Sequence, residues 1–354
     1  MKKTDKNASD INNENKNTRE EDSVDKLFDE AKDGKIKKVL RKNKILSYLK
    51  IILISTVVTV VVLYVAFLVI DTISFDYCQS KWLAAENRLS DYYRIKFPDR
   101  YIGEFYSYYN GMFRGSLEYT TYKNLDGRIL YSGTEKRVFG PINLCTGITG
   151  GGMVWQQTED DYINVDLRNR PCSVYGLRYM TFFYPDIEYK NYINDMELLS
   201  RIPDDKIIEI GISFDREYPL SEARMLIPED LATFYWVGNK NSGEQTQQAC
   251  GENEIYGIKL LDENGGIIEK PAKDFIGALT RLKDTTDDSR IDIYMSGDSP
   301  ANFYTKIAGS DGVLDESDLY VLGAVLAGNP DNIARLKDKP FIRYATLGSV
   351  VDKY

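Results

Sequence analysis

Polar and apolar positions mix along most of the chain, with one exception. Residues 51–70, "IILISTVVTVVVLYVAFLVI", carry no charge, while a largely polar stretch of fifty residues precedes them and 284 residues of mixed character follow. At ~1.5 Å rise per residue, twenty helical residues cover ~30 Å, the hydrocarbon thickness of a bilayer. A secretory signal has a shorter apolar region of roughly 7–15 residues near the first Met, followed by a small-residue cleavage site. Here "DTISFDYCQSKW" follows and offers no such site. Strands of this length lie far outside the usual range. The pattern predicts a membrane-spanning helix over 51–70, and no second apolar run of spanning length occurs.

Residues 1–22 are polar and aperiodic, which predicts a disordered tail. From there to residue 50 the pattern is helical. Val24, Leu27, Phe28, Ala31, Ile36, Val39 and Leu40 recur at steps of three to five, Ser23 stands as a candidate N-cap, and Gly34 weakens the middle. This short amphipathic helix over 23–50 has two readings: its stripe docks on a protein, or it lies on the membrane surface.

After the span, "YCQSKWLAAENRLSDYYRIKFPD" predicts a helix with Trp82, Leu83 and Leu89 on one side, ending before Pro98. "GSLEYTTYKNL" and "GRILYSGTEKRVF" predict a hairpin turning at Asp126-Gly127. Further strands are expected at "YGLRYMTFFYP", "KIIEIGISF", "LATFYWVG", "EIYGIKLL" and "FIRYATLGSVVD". Helices are expected at "PLSEARMLIPED", capped by Ser221 and ended by Pro228, at "AKDFIGALTRLKD" and at "NPDNIARLKDK". "LYVLGAVLAG" is ambiguous between helix and strand. The Tyr-rich stretches suit ordinary strand packing, with an aromatic wall-binding platform as the alternative. The fold class expected is an α+β domain with mainly antiparallel sheet, plus the single N-terminal transmembrane helix and the short amphipathic helix. Its divisions are 1–22, 23–50, 51–70, a helix and hairpin region over 71–174, and a second α+β region over 175–354.

Charge orients the span. Lys35, Lys37, Lys38, Arg41, Lys42, Lys44 and Lys50 flank it on one side with no acidic residue between them, and Asp71 and Asp76 open the other. The positive-inside rule then places the N-terminus in the cytoplasm and residues 71–354 outside the cell membrane. Ten of the 54 acidic and fourteen of the 45 basic residues lie in 1–50, which leaves the tail near +4 and the outer part near −13. An acidic outer part argues against nucleic acid as a direct partner. Membrane lipids are the expected partner of the basic flank.

The absence of histidine excludes Ser-His-Asp and Cys-His nucleophiles and His-ligated zinc. Carboxylate-pair hydrolases survive that test. "GITGGG" lacks the Lys-Ser/Thr of a phosphate loop, and "GSDGVLDESD" lacks EF-hand order, so both read as turns, with Asp315 a candidate cap. No catalytic, metal or cofactor site is expected, and the chain is read as not an enzyme. All four cysteines (Cys78, Cys145, Cys172, Cys250) lie on the outer side, where disulfides persist. Cys145 with Cys172 is the preferred candidate pair because it closes a Gly-rich segment; free or intermolecular thiols are the alternative.

The stretch from "DIEYKNYINDMELLSRIPDDKIIEIGISF" through "FYWVG" and "EIYGIKL" to "PFIRYATLGSVVDKY" resembles the C-terminal domain of the sigma factor regulator family. "FDEAKDGKIKKVLRKNKILSYLKIILISTVVTVVVLYVAF" is similar to that family's N-terminal domain, and "GSLEYTTYK" to its early outer part. These are single-pass proteins of Gram-positive bacteria, grouped with membrane anti-sigma factors. The resemblance implies that "LYVLGAVLAG" is a strand. It further implies signal transduction and transcription regulation: the inner segment holds an extracytoplasmic-function sigma factor, and the outer part senses an unknown envelope signal. The tail has no His-xxx-Cys-xx-Cys element of zinc-type anti-sigma domains, and about thirty residues are too few for such a bundle. A single helix is then the expected contact, with Val24, Leu27, Phe28 and Ala31 as anchors. Two alternatives stay open: an extracytoplasmic binding or receptor module without a sigma-factor partner, and a carboxylate-dependent envelope hydrolase or transferase.

Overall fold

The structure, a computed structural model, describes residues 10–140, 153–154, 172–173, 175–189, 192–238, 249–284 and 298–353, with the backbone alone for 10–31. It divides into two compact units, Met1–Thr72 and Ile73–Tyr354.

The first unit is built on helix α1 (Asp10–Ile95). The helix is continuous through Ser23 and Gly34, so Ser23 does not begin it and Gly34 does not interrupt it. Every side chain from 51 to 70 is exposed, so the segment is not part of a core among the described residues. It is the one helix among the described residues long and apolar enough to cross a membrane. Its hydroxyls are satisfied internally: Thr56 donates to the Ile52 carbonyl and Thr59 to the Ser55 carbonyl, both at 2.8 Å. Such back-bonding removes the penalty of an unpaired hydroxyl in hydrocarbon.

In the second unit, residues 73–95 of α1 lie on an antiparallel meander of β1 (Arg100–Tyr109), β2 (Gly115–Leu125) and β3 (Arg128–Phe139). The helix buries Cys78, Trp82, Ala85, Leu89 and Tyr93, a stripe at steps of three and four, against Leu117 and Tyr119 of β2. Leu83, expected beside Trp82, is exposed instead. One residue is ~100° of helix, which carries it off the stripe. The β2–β3 turn is where the sequence places it, with Asp126 (φ 49°) and Gly127 (φ 82°) both left-handed, as a two-residue type I′ turn requires.

Three two-residue strands follow: β4 (Met153–Val154), β5 (Cys172–Ser173) and β6 (Thr181–Phe182). Beyond a 3-10 helix (Asp195–Arg201) come β7 (Lys206–Pro219), α2 (Leu220–Leu226), β8 (Ala232–Gly238), β9 (Cys250–Gly251) and β10 (Tyr256–Lys259). The chain closes with α3 (Pro271–Lys283), α4 (Pro300–Ile307), β11 (Tyr320–Gly328), α5 (Pro330–Ala334) and β12 (Ile342–Asp352).

The main sheet has order β10-β8-β11-β7-β12, with every neighbouring pair antiparallel. "LYVLGAVLAG" is therefore strand. β11 and β12 are parallel to each other because both pair antiparallel with β7, so the connection through α5 crosses over that strand. One face carries Ile208, Ile210, Ile212 and Phe214 of β7 into a core with Phe275 and Leu279 of α3. The other face, which presents Trp236 of β8, is covered by Met180 and Phe182. Gly323 lies at a shift in register where a Cβ would stand 2.2 Å from the Ile212 carbonyl oxygen, so only glycine lets the two strands approach. Ser221 does not cap α2: the cap position is Pro219, without a side-chain hydrogen bond, and Ser221 is the second helical residue. Asp315 does cap, forming a reciprocal box with Asp318 around Glu316–Asp318.

Candidate functional site

In β2 the odd positions Leu117, Tyr119, Thr121, Lys123 and Leu125 are all buried, so strand alternation sends a lysine to the core face. In β7 the same alternation puts Glu209 among Ile207, Gly211 and Ser213, on the opposite face from Ile208, Ile210 and Ile212. The two charged side chains meet inside the second unit, each 0% exposed. Lys123 Nζ donates to Glu209 Oε1 and Oε2 at 2.8 and 2.9 Å and stands 3.2 Å from Glu252 Oε1. Glu252 Oε1 also takes Arg100 Nη2 at 3.1 Å, and its Oε2 accepts from the Met180 amide at 3.0 Å. The Ser349 amide donates to Glu209 Oε2 at 3.2 Å. Two cations face two carboxylates, which is the balance that lets charges persist away from water. Burial opposes the charge on Lys123, but the Glu209 and Glu252 carboxylates outweigh it and hold the ammonium above the usual lysine value.

A second pair adjoins it. Asp99, 1% exposed, accepts from Thr233 Oγ1 at 2.9 Å. Lys259 Nζ donates to the Arg100 carbonyl and lies 4.2 Å from the Tyr101 ring centre. Burial and then the Glu209 carboxylate push Asp99 up to about 7, against the Thr233 hydroxyl and the two lysines. Burial pulls Lys259 down to about 7, with Asp99 opposing.

The pH dependence follows by linkage. Folded Asp99 keeps a proton that the unfolded chain loses near ~3.9, so this group favours folding at low pH and its contribution fades as pH rises to about 7. Folded Lys259 releases its proton near 7, whereas the unfolded chain holds it to ~10.4, so stability recovers above 7. Together the two groups place a dip near neutrality. Urea midpoints of the full chain in detergent micelles, measured from pH 4 to 9, should show Asp99→Asn flattening the acid arm relative to wild type. Parallel profiles would mean that Asp99 does not titrate in this range.

Elsewhere, an open groove of about 550 Å³ runs along Arg128, Ile129, Leu130, Lys206 and Val350–Asp352. Its charges are engaged, Lys206 with Asp352 and Arg128 with the Lys353 carbonyl. Among the described residues, the carboxyls raised by burial, Asp99 and Glu209, lie inside the fold and not in a cleft. That placement weighs against the carboxylate-hydrolase reading. Cys78 and Cys250 are buried free thiols; Cys145 and "GITGGG" lie outside the described residues, so the pairing with Cys172 is not described. Val24, Leu27, Phe28 and Ala31 fall on α1 where the backbone alone is described. Lys35, Lys37, Lys38, Arg41, Lys42, Lys44 and Lys50 are exposed along the same helix, Lys37 standing 3.5 Å from Asp33 one turn back.

The sequence reading missed the charge cluster. Its visible trace was a lysine and a glutamate in phase with core positions of alternating runs.

Two family profiles match the chain: Sigma factor regulator N-terminal over residues 37–129 and Sigma factor regulator C-terminal over residues 199–349. Together they cover more than half of the 354 residues. Arg100 and Lys123 fall in the first match, and Glu209, Thr233, Glu252 and Lys259 in the second. No curated protein and no solved structure matches the chain.

Proposed function

Because the chain belongs to the sigma factor regulator family, a regulatory and not an enzymatic one that implies a sigma-factor partner, we propose that it is a single-pass membrane regulator that sequesters an extracytoplasmic-function sigma factor. The observation that carries this reading is the position of the first match, which begins in the basic flank, includes the apolar span and ends in the first sheet. The tail is the partner-binding element, with Val24, Leu27, Phe28 and Ala31 as anchors. These four precede the matched segment, and their role rests on their helical spacing. The seven basic residues from Lys35 to Lys50 favour a cytoplasmic tail, which puts the second unit outside, where it senses envelope state. The buried cluster supports passage of that state toward the span, since it bonds β1 and β2, which follow the helix that continues from the span, to Glu209 of β7 and to Glu252.

Affinity capture from solubilised membranes with the full chain as bait should retain a sigma factor, and exchange of residues 1–40 for an unrelated basic tail should lose it. Capture unaffected by the exchange, or regulation that survives it, would favour the alternative of an extracytoplasmic binding module whose tail is only a topological flank.

A further inference from the structure

The β1–β2 hairpin ends in "NGMFR", residues 110–114, and its tip has an unusual composition for its backbone. Gly111 (φ 77°), Met112 (φ 43°) and Phe113 (φ 61°) are consecutively left-handed, a conformation that a water-facing turn normally assigns to Gly, Asn or Asp. Two large apolar residues here accept backbone strain, and Met112 is nonetheless 67% exposed. The tip is fixed to the helix: the Phe113 amide and the Tyr109 hydroxyl both donate to Ser74 Oγ, and the Phe113 and Tyr77 rings meet edge to face at 5.7 Å. Phe75, exposed on the same turn of helix, contacts Tyr109 at 5.6 Å.

Ser74 follows Ile70, the last residue of the apolar span, by four positions. Even a fully extended link of that length reaches only ~14 Å, about twice the ~5–8 Å that a headgroup layer adds to each side of the hydrocarbon core. A strained tip with Met112 exposed and Phe113 half-buried is thus tethered near the bilayer surface, flanked by Tyr side chains of the kind enriched there and by exposed Arg114. We propose that Met112 inserts into the lipid leaflet, with Phe113 holding the tip against Tyr77, as a membrane contact additional to the apolar span. The occupant is lipid. A second copy of the chain would cover the same tip with protein, and the experiment separates the two.

The proposal rests on reading 51–70 as a membrane span. The full chain, labelled with ¹³C at its methionine methyls, is placed in phosphatidylcholine–phosphatidylglycerol nanodiscs, and the Met112 signal is identified by its loss in Met112→Leu. Lipid carrying a doxyl group high on the acyl chain should broaden Met112 and leave Met225, an exposed methionine of α2, intact. A water-soluble gadolinium agent should do the reverse. Met112 broadened by the soluble agent and spared by the lipid, or Met112 and Met225 attenuated equally, overturns the proposal. Protection of Met112 from both agents assigns the tip to a second copy and also overturns it. Failure of the chain to enter the discs overturns the span reading, and this one with it; entry with Met112 unaffected by the lipid overturns this one alone.

Discussion

Replacing Lys123 by Met is expected to lower stability by about 3–5 kcal/mol, the usual loss when one partner of a buried ion pair is removed. The thioether fills much of the space, so the loss is electrostatic. Glu209 and Glu252, both buried, are left facing each other with only Arg100 to balance them. Against a typical total of ~5–15 kcal/mol this is a large fraction, and at ~2–4 °C per kcal/mol for a domain of this size it is visible in any melting curve. The variant should regain stability as pH falls, because Glu209, held up by burial and deprived of its ammonium, takes up a proton in the folded chain above the pH at which the unfolded chain does. Adding Glu209→Gln should restore part of the loss at neutral pH. Thermal unfolding of the full chain in micelles, followed by near-ultraviolet circular dichroism, checks all three. A loss below about 1 kcal/mol, the range of exposed pairs, would mean that water reaches the cluster.

Leu27→Asp together with Phe28→Asp should release the sigma factor. In a helix these two residues lie on one stripe with Val24 and Ala31, and an interface formed by one helix has few other anchors to carry its energy. Hot-spot truncations cost ~2–4 kcal/mol, which at about 1.4 kcal/mol per decade is a loss of ~30- to 1,000-fold in affinity. Introducing carboxylates adds a desolvation penalty on top. The readout is sigma-dependent transcription at equal amounts of membrane-inserted chain, which should rise in the double variant and stay at the wild-type level in Lys26→Ala, on the opposite side of the helix. Unchanged transcription in the double variant would remove the tail from the regulatory reading.

What the sequence disclosed divides by range. β7, β8, β10 and β12 were legible because their branched and aromatic residues run in short blocks between Gly, Pro and Asp. The Asp126-Gly127 turn was legible because two consecutive left-handed residues leave few choices of side chain. "YGLRYMTFFYP" promised a long strand and yields only Thr181–Phe182, since its large side chains lie across the main sheet as its cover. The charge cluster was legible only as two residues out of character. Nothing near Lys123 in the chain announces a partner 86 or 129 positions on.

That separation bears on the order of events during synthesis. At ~5–20 residues per second, Glu209 follows Lys123 by on the order of ten seconds, and Glu252 comes later still. Through that interval the inward-facing lysine of β2 has no carboxylate to meet, and closing the meander over it would strand a dry cation. The first sheet therefore stays open and hydrated until the main sheet arrives, and the two parts fold as one late, cooperative event. A chain cut short before Glu209 would be a substrate for quality-control proteases, not a half-built regulator.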